Sequence, residues 1–184
     1  MKKIITVSGS AQHGKDTFAK YAAEYFEEYC QKSLIIHHAD YLKYIAKQYM
    51  GWNGEKDEEG RHLLQQLGTE MVRDKISPTY WVDKTCDIIK ICWDMYDYAF
   101  IPDTRFRNEI ETLKSEFGEK VYCVHITRLD FNNCLTEEQR KHKSEIDLDG
   151  YPFDSYERVI NDETMANAIE NARNFVKYSP YYLY

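Results

Sequence analysis

Residues 9 to 17 read GSAQHGKDT, in which Gly9, Gly14 and Lys15 have the G-x-x-x-x-G-K spacing of a phosphate-binding loop. The residue types suit that chemistry. Glycines let the backbone N–H groups of the intervening Ser10, Ala11, Gln12 and His13 curl round a phosphate, and a following helix adds its positive end. Lys15 then reaches the terminal phosphates of ATP, and Thr17 is available to hydrogen-bond a phosphate oxygen. Asp16 stands where a Ser or Thr hydroxyl usually meets Mg²⁺. Two readings are open for it: a carboxylate beside the metal, or a helix-start residue favoured by the macrodipole. A Gly-rich turn with an exposed lysine is the bland alternative for the whole motif.

The flanking elements decide for the loop. KIITVSG is a short β-branched run ending in glycine, a buried strand entering a turn. DTFAKYAAEYFEEYCQK carries Phe18, Tyr21, Ala22, Tyr25, Phe26 and Tyr29 at helical spacing. SLIIHHA reads as a second strand and DYLKYIAKQYMGW as a helix capped by Asp40. RHLLQQLGTEMVRDK and PTYWVDKTCDIIKICWDMY read as two more helices, with Pro78 in the first turn of the second. YAFIPD and KVYCVHITR are strands on either side of the helix FRNEIETLKSEFG. A long polar excursion with helical patches leads to the strand ERVIND and the helix ETMANAIENARNFVKY. Strands alternating with helices imply parallel crossovers and a three-layer α/β sheet.

In such a sheet ligands sit at the carboxyl ends of the strands. Asp40 follows the second strand, where it suits Mg²⁺ through water, orientation of an acceptor, or a plain N-cap. Lys43, one turn on, suits a phosphate or solvent. His37 and His38 alternate across the strand end, so packing is the reading for both. Asp103 and Arg105 follow the third strand. Arg105 is placed to grip an acceptor phosphate bidentately, with Asp103 on metal or holding Arg105. Arg107 is open to either role, and Glu109 reads as a surface charge of the next helix.

Gln65, Gln66, Thr69 and Arg73 lie on one helix, where i, i+4 spacing groups Gln65 with Thr69 and Thr69 with Arg73. That polar face suits either an acceptor nucleotide, with amides on the base and Arg73 on phosphate, or solvent. Trp52 and Trp81 could stack on a base, but aromatics of this kind are more often core, and core is the reading for both. Arg128 ends the fourth strand and opens a basic stretch with Arg140, Lys141, His142 and Lys143, fit to close over a triphosphate. Its acidic neighbours Glu137, Glu138 and Glu145 leave a solvated charge run as the competing account. Asn161 and Asp162 end the last strand, near an expected adenine, and are equally good turn residues.

The stretches SGSAQHGKDT, HADYLKYIAKQYMGW, GRHLLQQLGTEMVRD, WVDKT, PDTRFRNEIETLK and HKSEIDLD occur in this order over nearly the whole chain. Together they resemble the phage-type deoxynucleoside monophosphate kinases, within the P-loop nucleoside monophosphate kinase group. LLQQLGTE and DTRFRNE are the more selective pieces, and Gly-Lys-Asp-Thr is an accepted loop ending in that family. The resemblance implies a five-stranded parallel sheet in one domain over residues 1–184. A helical acceptor-binding region would span about residues 41–95 and a lid about residues 128–150. It also implies Mg²⁺-assisted transfer of the ATP γ-phosphoryl group to a deoxynucleoside monophosphate. Rival readings are a P-loop kinase for another small phosphorylated acceptor and a non-catalytic nucleotide sensor.

Bulk properties narrow the partners. The 184 residues carry a net charge of −7, which argues against bulk binding of nucleic acid or an anionic membrane. The five cysteines form no C-x-x-C pair, so a zinc site or disulfide framework is not expected, and reduced thiols suit a cytoplasm, the host's if the chain is phage-encoded. No run approaches the roughly 20 apolar residues of a membrane helix. The aromatic tail YSPYYLY is expected to pack on the body or on a second copy, which leaves a homodimer open.

Overall fold

Ile4 to Ser8 are all buried, as a strand covered on both faces requires. The computed structural model describes residues 1–55, 57–133, 135–160 and 165–178. In chain order the elements are β1 (Lys3–Ser8), α1 (Lys15–Glu28), β2 (Ser33–Ile35), α2 (Ala39–Tyr49), α3 (Glu58–Gln65), α4 (Tyr80–Ile91), β3 (Tyr98–Ile101), α5 (Arg107–Phe117), β4 (Val121–Leu129), α6 (Glu137–Arg140), α7 (Lys143–Ile146), β5 (Ser155–Ile160) and α8 (Ala166–Tyr178). The five strands pair in parallel in the order β2-β3-β1-β4-β5. β1 is central, so the loop that follows it opens at the middle of the sheet's carboxyl edge.

Alternation along the strands builds the layers. Ile5, Val7, Phe100, Val124 and Ile126 pack with Phe18, Ala22 and Phe26 of α1 and Phe175 and Val176 of α8. Ile4, Ala99, Ile101 and Cys123 pack on the other face with Val82, Cys86 and Ile89 of α4 and Ile110 and Leu113 of α5. This is the expected three-layer α/β architecture. A third cluster, Leu42, Ala46, Trp52, Leu67, Val72 and Trp81, gives the helices around α2 a core of their own. Both tryptophans are buried there, as expected.

Three local readings change. β2 ends at Ile35 and α2 begins at Ala39 after His38, so Asp40 is not its N-cap. Asp103 does the capping from a distance: its carboxylate accepts the N–H groups of His38 at 2.9 Å and Ala39 at 3.0 Å. The third helix starts earlier than expected, at Glu58, because the Asp57 side chain accepts the Gly60 N–H and caps it. From Gln66 to Arg73 it widens into a π-helix, with the Asp74 N–H reaching Thr69 O at 2.9 Å. A Cβ on Gly68 would lie 2.7 Å from Leu42 Cδ1, and the Trp81 indole donates to Gly68 O. Asn161, Asp162, Cys134 and residues 179–184 of the tail lie outside the described residues.

Candidate functional site

The loop after β1 has the backbone that its residues dictate. A Cβ on Gly9 would lie 2.3 Å from Ile126 O, so only glycine lets β1 turn away this close to β4. Gly14, at φ +86, turns the chain into α1 through a left-handed conformation. The Lys15 side chain folds back along the loop and donates to Gly9 O at 2.7 Å and Ser10 O at 2.9 Å. Lys15 is buried; desolvation first, then the Arg105 charge, lower its ammonium to about 8.

A carboxylate lies on this loop. Glu145 Oε2 accepts the Ala11 N–H at 3.1 Å, and Oε1 pairs with the Arg105 guanidinium. Arg105 is itself seated by Glu109, whose Oε2 accepts the Arg105 N–H at 2.8 Å and the Phe106 N–H at 3.1 Å. Oε1 of Glu109 takes Arg73 at 2.5 Å, and the Arg73 guanidinium lies 4.3 Å from the Phe106 ring centroid. Glu109 is 2% exposed, so it is a buried tie between two arginines and not a surface charge. Burial without those donors would be prohibitive for a carboxylate.

A second charged group joins the loop to α2. His37 Nε2 lies 2.7 Å from Asp16 Oδ1, and Nδ1 lies 3.4 Å from Asp40 Oδ2. The Asp16 bond, then that to Asp40, raises the imidazole to about 9, so it is an imidazolium donating to both carboxylates at neutral pH. The His37 hydrogen bond holds Asp16 below its usual value. Burial opposes ionisation of Asp40, but the hydrogen bonds and charge of His37 outweigh it and bring Asp40 to about 2. Lys43 completes the row, 3.4 Å from Asp40 Oδ1.

Two crevices flank the loop. On one side His13, Gly14, Thr17, Phe18, Arg128 and Ile160 line a narrow slot beside α1 and β5. There the Arg128 N–H donates to His13 Nδ1 at 3.2 Å, and its guanidinium lies over Phe131. Desolvation, then the Lys15 charge, lower the His13 pKa, in keeping with that acceptor role. On the other side Arg105, Asp103, His38, Thr69, Arg73 and Trp81 line a space of about 150 Å³. It shares Thr69, Arg73 and Phe106 with an open cleft of about 440 Å³ that continues to Asn108, Lys143 and Asp147.

The family model of deoxynucleotide monophosphate kinases matches residues 30–172, most of the chain. The chain belongs to that family. It is therefore a nucleotide kinase, a phosphotransferase with a nucleotide and a phosphate acceptor as substrates. Solved kinases share the fold. A sugar kinase from Janibacter sp. HTCC2649 superposes with a TM-score of 0.51 at 12% identity, covering 100% of this chain and 95% of its own. A gluconokinase from Sinorhizobium meliloti 1021 gives 0.50 at 12%, covering 100% and 98%. No curated protein matches the sequence.

In the kinase the residues expected from sequence fall into distinct groups. Lys15, Arg105 and Asp103 gather where the loop meets the space of about 150 Å³, and Thr69 and Arg73 line it. Gln65 is exposed, and neither it nor Gln66 lines the cleft among the described residues. Arg140 turns back on its own loop, donating to Asn132 Oδ1 at 2.6 Å and to Leu135 O and Asn133 O.

Sequence alone assigns His37 and His38 to packing, Glu109 to the surface and Glu145 to a solvated charge run, and does not single out Phe106. The signal for Glu109 was its place three residues after Phe106 at a helix start, where a glutamate returns to the first free N–H groups. His38 Nδ1 lies 3.0 Å from Thr85 Oγ1, whose hydroxyl is spent on Trp81 O, so Nδ1 is the donor. Its buried Nε2 is left without a protein partner.

Proposed function

We propose that the kinase transfers the γ-phosphoryl group of ATP to a deoxynucleoside monophosphate, giving ADP and the diphosphate. One observation carries this reading: Arg105 stands between the phosphate loop and a cleft large enough for a second nucleotide. Gly9 to Thr17 hold the ATP phosphates, with Lys15 on the transferred group. Adenine lies in the slot beside Arg128, and residues Asn161 and Asp162 follow that slot's last strand. Arg105 grips the acceptor phosphate, while Thr69 and Arg73 wall the acceptor cleft together with Phe106. Asp40 and Lys43 face the loop from α2. The helical region about residues 41–95 carries the acceptor, and about residues 128–150 form the lid.

The donor set suits magnesium brought in with ATP. Asp16 is an exposed carboxylate in the first turn of α1, and each oxygen of Asp103 already accepts one N–H, from His38 and from Ala39. No group of three or more His, Cys, Asp or Glu that could hold a metal occurs among the described residues. Mg²⁺ is commonly bound by one or two carboxylates together with substrate phosphates. Asp16 is the residue that would hold it, and the ion would supply charge neutralisation at the phosphates. Catalysis otherwise rests on positioning and cations, as phosphoryl transfer requires.

The test is ADP release with ATP, Mg²⁺ and a panel of dNMPs, NMPs and non-nucleotide phosphates. Turnover selective for dNMPs supports the reading. Turnover confined to a non-nucleotide acceptor refutes it.

A further inference from the structure

Glu145 holds a place that its charge makes unusual. Its side chain is 10% exposed, and its two oxygens meet an amide of the phosphate loop and the guanidinium of Arg105. An oriented loop amide, a buried ammonium and a guanidinium form an anion site, and here the anion comes from the chain itself. The two sides of the loop tell which part of a nucleotide the carboxylate replaces. His13, Gly14 and Thr17 border the slot with Arg128, away from the acceptor cleft. Ala11 is instead linked through Glu145 to Arg105, which lines the space on the acceptor side. The phosphate that belongs beside Ala11 and Arg105 is therefore the terminal one.

The carboxylate is also held by an anchor. The Arg107 N–H donates to Asp147 Oδ2 at 2.8 Å, its Nε to Asp147 O at 2.7 Å and its second amino group to Asp149 O at 2.5 Å. Three bonds from the first residue of α5 thus fasten the chain just after Glu145.

We infer that Glu145 is an internal stand-in for the transferred phosphoryl group, seated when that group is absent and displaced when ATP binds. It thereby sets the discrimination between ATP and ADP. This rests on the kinase reading above. A γ-phosphate and the Glu145 carboxylate repel and compete for the same donors, so ATP binds only the fraction of molecules in which Glu145 has moved. ADP ends short of that place and leaves Glu145 paired. After transfer the carboxylate returns to Arg105, which favours ADP in the site over a second ATP.

The experiment is calorimetric binding, with Mg²⁺, of ADP and of an ATP analogue whose β–γ bridge cannot be hydrolysed. Glu145→Gln keeps the shape and an acceptor for Ala11 but removes the charge. It should tighten the ATP analogue about tenfold, by removing the cost of displacement, and move ADP less than about twofold. Glu119→Gln, at an exposed carboxylate just before β4 and at the opposite end of the sheet from the phosphate loop, should move neither. Equal shifts for both nucleotides, no shift, or weaker ATP binding overturns the inference. Should E145Q not fold, Arg107→Ala tests the same point by removing the two side-chain ties, and an ATP-selective gain is again required. Wild-type protein that phosphorylates an acceptor without such a shift in the variant leaves the kinase reading standing. Wild-type protein that binds neither nucleotide removes both.

Discussion

The His37 imidazolium donates to Asp16 at 2.7 Å and so ties the phosphate loop to the start of α2. Its pKa is raised from 6.5 to about 9, so the folded state binds the proton more tightly than the unfolded chain. The resulting stability is fully present below about pH 6.5 and is lost as pH rises through about 9. Lys15 works in the opposite sense, because its value is lowered from 10.5 to about 8, and its contribution rises with pH above that. The clean window for His37 is therefore pH 6.5 to 8. Thermal melts of nucleotide-free protein in chelated buffer should show stability falling across that window, and His37→Gln should flatten the slope. A slope unchanged by the substitution would assign the effect elsewhere.

Lys15→Ala should cost about 100- to 1000-fold in turnover, the scale for losing a charge-stabilising donor at a transition state. The fold should survive, because the buried ammonium is a desolvation cost to the free protein. Single-turnover rates beside a melt separate the two effects. Rates within about threefold of wild type, a small change in barrier, would remove Lys15 from the reaction.

Arg105→Ala should raise KM for the acceptor far more than KM for ATP. Arg105→Lys should rescue poorly, because a single ammonium cannot reproduce a planar two-pronged grip. Initial rates with each substrate varied in turn decide the matter. A loss confined to ATP would place Arg105 on the nucleotide donor.

Glu109→Ala should destabilise the protein by about 3–5 kcal/mol, the cost of leaving one member of a buried pair uncompensated. Arg73 would lose its partner, and the Arg105 and Phe106 N–H groups would lose their acceptor. Glu109→Gln keeps an acceptor for those amides and should cost less, while still raising acceptor KM by loosening Arg73. Urea unfolding and acceptor titration of the two variants check both halves. Full stability in the alanine variant would contradict the buried tie.

Much of the frame was legible because its signals are local. A β-branched run, a glycine-spaced loop and an apolar stripe at helical spacing each lie within one short window, so the phosphate loop could be read from residues 3 to 29 alone. The strand–helix alternation gave the three layers, and the rule that ligands gather at strand ends made Arg105 a candidate. Trp52 and Trp81 read as core for the same reason that they are core: their area is too large to leave wet.

What the window could not hold, tertiary structure decided. Glu109 meets Arg73 across 36 residues, Glu145 meets Arg105 across 40, and Ala11 meets Glu145 across 134. A carboxylate looks the same in sequence whether it is solvated or buried, since only the partners brought by other elements repay its dehydration. Asp103 capping α2 from the end of β3, across 65 residues, displaced the local capping expected of Asp40 for the same reason. The π-turn at Gln66–Arg73, where Gly68 meets Leu42 and its carbonyl accepts from Trp81, likewise has no signal in straight helical spacing. Periodicity determined which elements form and which faces they bury. The pairing of charges at the site was settled only when those faces met.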